Sequence, residues 1–175
     1  PISINNYTFT AGNGSDVYLD AGNQGTDAFP FAGDVTVNSG NLRGNGAAQS
    51  ITVTGDLVLA ASSDASFAGG TGTTTLGSLT IGSSATFNAT SGTTILNSGG
   101  ANGDASTSLH GTGTFNHNEG TLHFAAGVSH RTPVGATFYN VTLDRNIYGY
   151  DGSLSPQAIM PDGTTANDFI SILGT

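Results

Sequence analysis

The chain has 175 residues, no cysteine, 36% hydrophobic side chains and only 9% charged ones, with a formal net charge of −9. It contains no lysine, and Arg43, Arg131 and Arg145 are its only strong bases, which excludes the basic clusters that nucleic acid or an anionic membrane surface requires. The absence of cysteine excludes disulfides, and no apolar run is long enough to cross a bilayer as a helix.

Low charge sets the chain apart from disordered sequences, which pair few apolar residues with many charges. Gly, Ser, Thr, Asn and Asp fill the composition instead. These residues make turns, and Thr also suits strands. Glu119 is the one glutamate, and the scarcity of Lys and Glu argues against helices.

The opening "PISINNYTFT" has neither the basic segment nor the apolar segment of a signal peptide. It begins with Pro1, so a processed or excised chain is expected. Residues Tyr7 to Thr10 and Val17 to Leu19 read as strands. Between them lies "AGNGSDVYL", which matches most of the calcium-binding nonapeptide, with Ala11 in place of its first Gly. "AGNQGTD" at residues 21–27 is a weaker echo. Asp16, Asp20 and Asp27 are therefore candidate calcium ligands, against the plainer reading that Gly and Asp simply make turns.

One unit then recurs: a small polar residue, an apolar residue, Thr, and a second apolar residue. It occurs at Asp34-Val35-Thr36-Val37, Ser50-Ile51-Thr52-Val53, Ser78-Leu79-Thr80-Ile81 and Asn140-Val141-Thr142-Leu143. Each copy puts its apolar side chains on one face of a strand. A second unit is Ala85-Thr86-Phe87, echoed by Ala136-Thr137-Phe138 and Ala65-Ser66-Phe67. Leu57 to Leu59, Thr93 to Leu96, Gly113 to His117 and Leu122 to Ala125 are further strands, separated by glycine-rich breaks. Short alternating runs with polar breaks predict an all-β fold. A parallel β-helix or solenoid fits the repeated units, and a β-sandwich of jelly-roll type is the alternative. Thr-x-Thr pairs at 52/54, 73/75 and 112/114 are of the kind an ice-binding face uses, but they look scattered along the chain.

"GTFNHNEGTLHF" at residues 113–124 has two histidines and the single glutamate. Glu119-Gly120 reads as a hairpin turn, or equally as a solenoid corner. In the hairpin register His117 and His123 point to opposite sides, which suits structural rungs better than a shared metal. His110, His117, His123 and His130 are spaced 7, 6 and 7, with no HxH or HxxxH pair.

Residues 1–145 are expected to form one β-rich domain. Residues 146–175, with Pro156 and Pro161, are expected to form a loop, arm or cap. Within them Asn146 to Thr165 reads as loop, and Asn167 to Leu173 as a short helix or final strand. Tyr139, Tyr148 and Tyr150 are candidate platforms for stacking on a glycan, buried or interface tyrosine being the plainer reading. A glycosidase would need two carboxylates at fixed separation, and the aspartates offer no favoured pair. No G-x-S-x-G, P-loop or HExxH motif occurs, so no enzymatic activity is expected, and a polysaccharide-active enzyme is the least favoured class.

"GTFNHNEGTLHF" and "ATFYNVTLD", residues 136–144, resemble a repeat of bacterial and marine phage surface proteins. Residues 50–53 and 78–87 resemble rungs of filamentous-haemagglutinin-like and autotransporter passenger solenoids. The resemblance spans 110–144 well and 34–96 loosely, and it misses 1–30 and 146–175. It implies a β-rich extracellular appendage and carries no catalytic residues. The expected function is a phage virion component, such as a tail fibre, spike or decoration protein, on a virion surface. A cell-surface adhesin or filament subunit is the alternative. The expected partners are further copies, as a trimer or larger, other virion or surface proteins, and a glycan. Neither nucleic acid nor membrane insertion is expected, and no cofactor beyond a possible Ca2+.

Overall fold

Alternation needs partners, and the strands find them by parallel stacking. The computed structural model describes residues 4–12, 14–19, 28–44, 48–62, 64–97, 108–125, 130–131, 137–144, 147–148 and 171–172. Within these the chain is all-β, and every strand pairing is parallel. The antiparallel pairing that a jelly roll requires is absent among the described residues.

The chain visits three ladders in rotation. The first ladder holds β1 (Tyr7–Thr10), the first half of β4 (Val35–Gly44), the second half of β5 (Ser50–Leu59), the second half of β7 (Thr74–Ile81), and β10 (Leu109–Gly111). The second holds β2 (Asp16–Leu19), the rest of β4, β6 (Ala65–Ala68), β8 (Thr86–Asn88) and β11 (Thr114–Asn116). The third holds β3 (Ala28–Phe31), the first halves of β5 and β7, β9 (Thr93–Leu96), β12 (Thr121–Phe124) and β15 (Asn140–Leu143). Two short pairs complete the description: β13 (His130–Arg131) with β16 (Ile147–Tyr148), and β14 (Thr137–Phe138) with β17 (Ser171–Ile172). Strands therefore occur inside the expected C-terminal arm, at Ile147–Tyr148 and Ser171–Ile172. The rest of that arm lies outside the described residues.

Like stacks on like in the interior. Val35, Leu57, Leu79 and Leu109 form one aliphatic column of the first ladder. Phe31, Val53, Leu76, Leu96 and Phe124 form a column of the third, all buried. The second ladder runs Leu42, Phe67, Phe87, Phe115. The rings of Phe67 and Phe87 stack at 5.2 Å, and those of Phe87 and Phe115 at 5.6 Å. Phe138 closes the column edge-on to Phe115 at 5.5 Å. Aromatic pairs of this kind add about 0.5–1.5 kcal/mol beyond the area they bury. Thr74 and Thr94 also lie in the core, stacked on each other, with Oγ1 of each unpaired.

The corners are polar and tight. Asn6 Oδ1 accepts from the Asp34 amide at 3.0 Å. Asp34 Oδ1 accepts from the Asp56 amide at 2.9 Å, and Asp56 Oδ1 from Ser78 Oγ at 2.6 Å. Residues 28, 22 and 22 apart are thus tied into one column. Gly77 sits at this corner because a Cβ there would lie 2.4 Å from the carbonyl oxygen of Gly55 in the preceding circuit. Gly40, at φ +83°, bends β4 from the first ladder to the second.

These columns correct the repeat read from sequence. Asp34 to Val37 and Ser78 to Ile81 belong to the first ladder, while Ser50 to Val53 and Asn140 to Leu143 belong to the third. One local pattern serves two faces, so its copies follow no single period along the chain. The hairpin at Glu119-Gly120 is also corrected. Strand β11 pairs with β8, and β12 pairs with β9 and β15, so the turn carries the chain from the second ladder to the third. Asn118 at φ 48° and Glu119 at φ 57° make that corner.

Candidate functional site

Asp16 opens β2 on the second ladder, opposite Asn41. Its Oδ1 accepts from Asn41 Nδ2 at 2.7 Å and from Arg43 Nε at 2.9 Å. Its Oδ2 accepts from the Tyr18 hydroxyl at 3.2 Å. The Asn41 hydrogen bond, helped by the Arg43 charge, holds the Asp16 carboxyl below the usual carboxylate range. Asn41 Oδ1 in turn accepts from Ser66 Oγ in the next circuit. Asp16 thus heads a polar column that ties successive circuits together. Asp20 and Asp27 lie outside the described residues, so only Asp16 of the three candidate calcium ligands can be placed. Among the described residues, no three His, Asp or Glu side chains come together.

The second locality is the corner after β11. His117 Nδ1 accepts from the Glu119 amide at 3.0 Å, which fixes the ring against its own turn. That accepting nitrogen carries no proton, so in the neutral ring the proton sits on Nε2. The ring stacks on Tyr139 of the next circuit at 5.6 Å and 23°. Phe115, Phe138, Thr94 and Asn140 line a cleft beside this stack, which is too tight to admit a water molecule. Tyr139 is half-buried here. Tyr148 is placed by its backbone alone, in β16 opposite Arg131, and Tyr150 lies outside the described residues.

The histidine spacing has a structural cause. His110 lies on the first ladder, His117 at the corner after the second, and His123 on the third. His130 opens β13. Each of the first two steps, of 7 and 6 residues, carries the chain across one strand and one corner, so the rings of His110, His117 and His123 do not share a face. His123 Nε2 lies 3.1 Å from Asp144 Oδ2, without the alignment of a hydrogen bond.

Sequence reasoning missed Asn41 and Arg43 as partners of Asp16, and His117 as the partner of Tyr139. The signal that finds them is circuit length: Asp16 and Asn41 are 25 residues apart, as are Asn41 and Ser66. Comparison of the chain with family models, with curated proteins and with solved structures returned no match.

Proposed function

We propose that the chain is a three-sided parallel β-helix, and that it serves as a non-enzymatic extracellular scaffold in a virion appendage such as a tail fibre, spike or decoration protein. The observation that carries this reading is the in-register stacking of like on like along three ladders. A stack of this kind is quasi-one-dimensional, since each circuit contacts mainly its neighbours. Its backbone hydrogen bonds run along the axis, so it resists extension and holds a fixed shape. The outward columns are rich in Thr, Ser and Asn, as in Asn41, Ser66, Thr86 and Thr114 of the second ladder. Such columns keep the faces wet and give a glycan hydrogen-bonding partners, with the half-buried Tyr139 as a stacking surface. Assembly into a trimer or larger, and attachment to other virion proteins, belong to the same reading.

The test is quantitative mass spectrometry of purified particles against cell-surface and cytosolic fractions of the source culture. Enrichment in the particles is the expected result. Confinement to the cytosol would overturn the proposal. Enrichment in the cell-surface fraction alone would move the same scaffold to a cellular adhesin or filament.

A further inference from the structure

The third ladder aligns threonines that are scattered in sequence. Thr93, Thr121 and Asn140 follow one another in an outward column, and Thr73, one residue before β7, accepts a hydrogen bond from the Ile51 amide at 2.9 Å, which extends the column toward Ser50. Two residues along each strand, a second outward column runs from Pro30 through Thr52 and Thr75 and ends at Thr142. Only Ile95 and His123 interrupt it. Thr52, Thr73 and Thr75 look scattered in the sequence, and the register brings Thr52 and Thr75 side by side.

The geometry points to an ice-binding face on the third ladder. Neighbouring parallel strands lie about 4.8 Å apart, and side chains two residues apart on one strand about 6.6 Å. These repeats are close to the two oxygen repeats on a prism plane of hexagonal ice. Threonine suits the task, because its branched side chain is stiff and presents one hydroxyl and one methyl in a fixed order. Water bound along such an array takes up the spacing of the array. The ladder pairs in this region run from β7 through β9 and β12 to β15 without a register break. Apart from His123, the two columns carry no titratable side chain. Of the described acids, Asp34 and Asp56 sit at a corner and Asp16 with Arg43 on the second ladder, while Asp144 lies at the end of this face beside His123. A face for a charged ligand would be built the other way round. The second ladder also has outward Ser and Thr, but Arg43 and Asp16 break its surface. The residues of the two third-ladder columns are half-buried or exposed, as a flat open sheet requires.

The test uses the whole chain in nanolitre osmometry and an ice-recrystallisation assay, with crystalline cellulose pelleting alongside. Faceted ice crystals and a measurable gap between freezing and melting are expected. Thr75→Tyr, which raises a bulky ring from the face, should lower that gap at least fivefold. Thr86→Tyr, an outward substitution on the second ladder, should leave it within experimental error. If circular dichroism finds Thr75→Tyr unfolded, Thr93→Lys replaces it with the same expected loss. Rounded crystals like those in buffer would overturn the inference. So would equal losses in the face variant and the second-ladder control, or cellulose pelleting without any effect on ice.

Discussion

Phe87 is the most exacting test of the stacked core. Its ring is fully buried at 0% exposure, between Phe67 at 5.2 Å and Phe115 at 5.6 Å. Phe87→Ala removes both stacks and leaves a void that the flanking circuits cannot fill, because their backbones are fixed by ladder hydrogen bonds. A buried Phe→Ala change costs about 3–5 kcal/mol. For a chain of this size each kcal/mol lowers Tm by about 2–4 °C, so a cost of about 4 kcal/mol predicts a fall of about 8–16 °C. Phe115→Ala supplies the internal comparison. Phe115 is half-buried near the end of the column, so its loss should cost about half as much, roughly 2 kcal/mol. Urea and thermal unfolding followed by circular dichroism measure both. A loss below about 1 kcal/mol for Phe87→Ala, or equal losses for the two variants, would refute the column.

Gly77→Ala should destabilise by about 1–3 kcal/mol, because its Cβ meets the Gly55 carbonyl oxygen at 2.4 Å and the circuits must part; chemical denaturation reads it. Asp16 predicts a pH dependence. Its carboxyl has a lower pKa in the folded state than in the unfolded chain, so its contribution is fully present above the unfolded value of about 3.9 and is lost as pH falls through the folded value. Melting curves from pH 6 to pH 2 should therefore fall less steeply at the acid end for Asp16→Asn than for wild type. His117→Ala should cost about 1 kcal/mol through the Tyr139 stack and the Glu119 hydrogen bond, and tyrosine fluorescence should report the freed Tyr139 ring.

Strand identity was legible because burial imposes a two-residue period. Tyr7–Thr10 and Thr93–Leu96 fall where alternation puts them, and Val35 to Val37 open β4. The pairing partner of each strand was not legible. The three parallel ladders join residues from 19 apart, as Thr121 and Asn140, to 30 apart, as Leu79 and Leu109, and circuits of unequal length hide any period. The pattern of Asp34-Val35-Thr36-Val37 recurs on two ladders because both need two inward aliphatics and one outward Thr. The corner at Asn118 and Glu119 looks like a hairpin turn locally, since both take the left-handed conformation that either structure uses. Only the neighbouring circuits decide between them. The same blindness hid the stack of His117 on Tyr139 and the pairing of Asp16 with Asn41 and Arg43.

Register is the claim on which the account rests, and the cysteine-free sequence allows it to be measured directly. Spin labels placed on cysteines at Thr52 paired with Thr75, then Ile95, then Thr142, step along one outward column. Parallel spacing of about 4.8 Å predicts backbone separations of about 5, 10 and 19 Å for one, two and four steps. Dipolar distances from electron paramagnetic resonance that rise in that order, on the outside of a folded chain, are the predicted result. Distances that do not grow with the number of steps would contradict the stacked ladders and everything built on them.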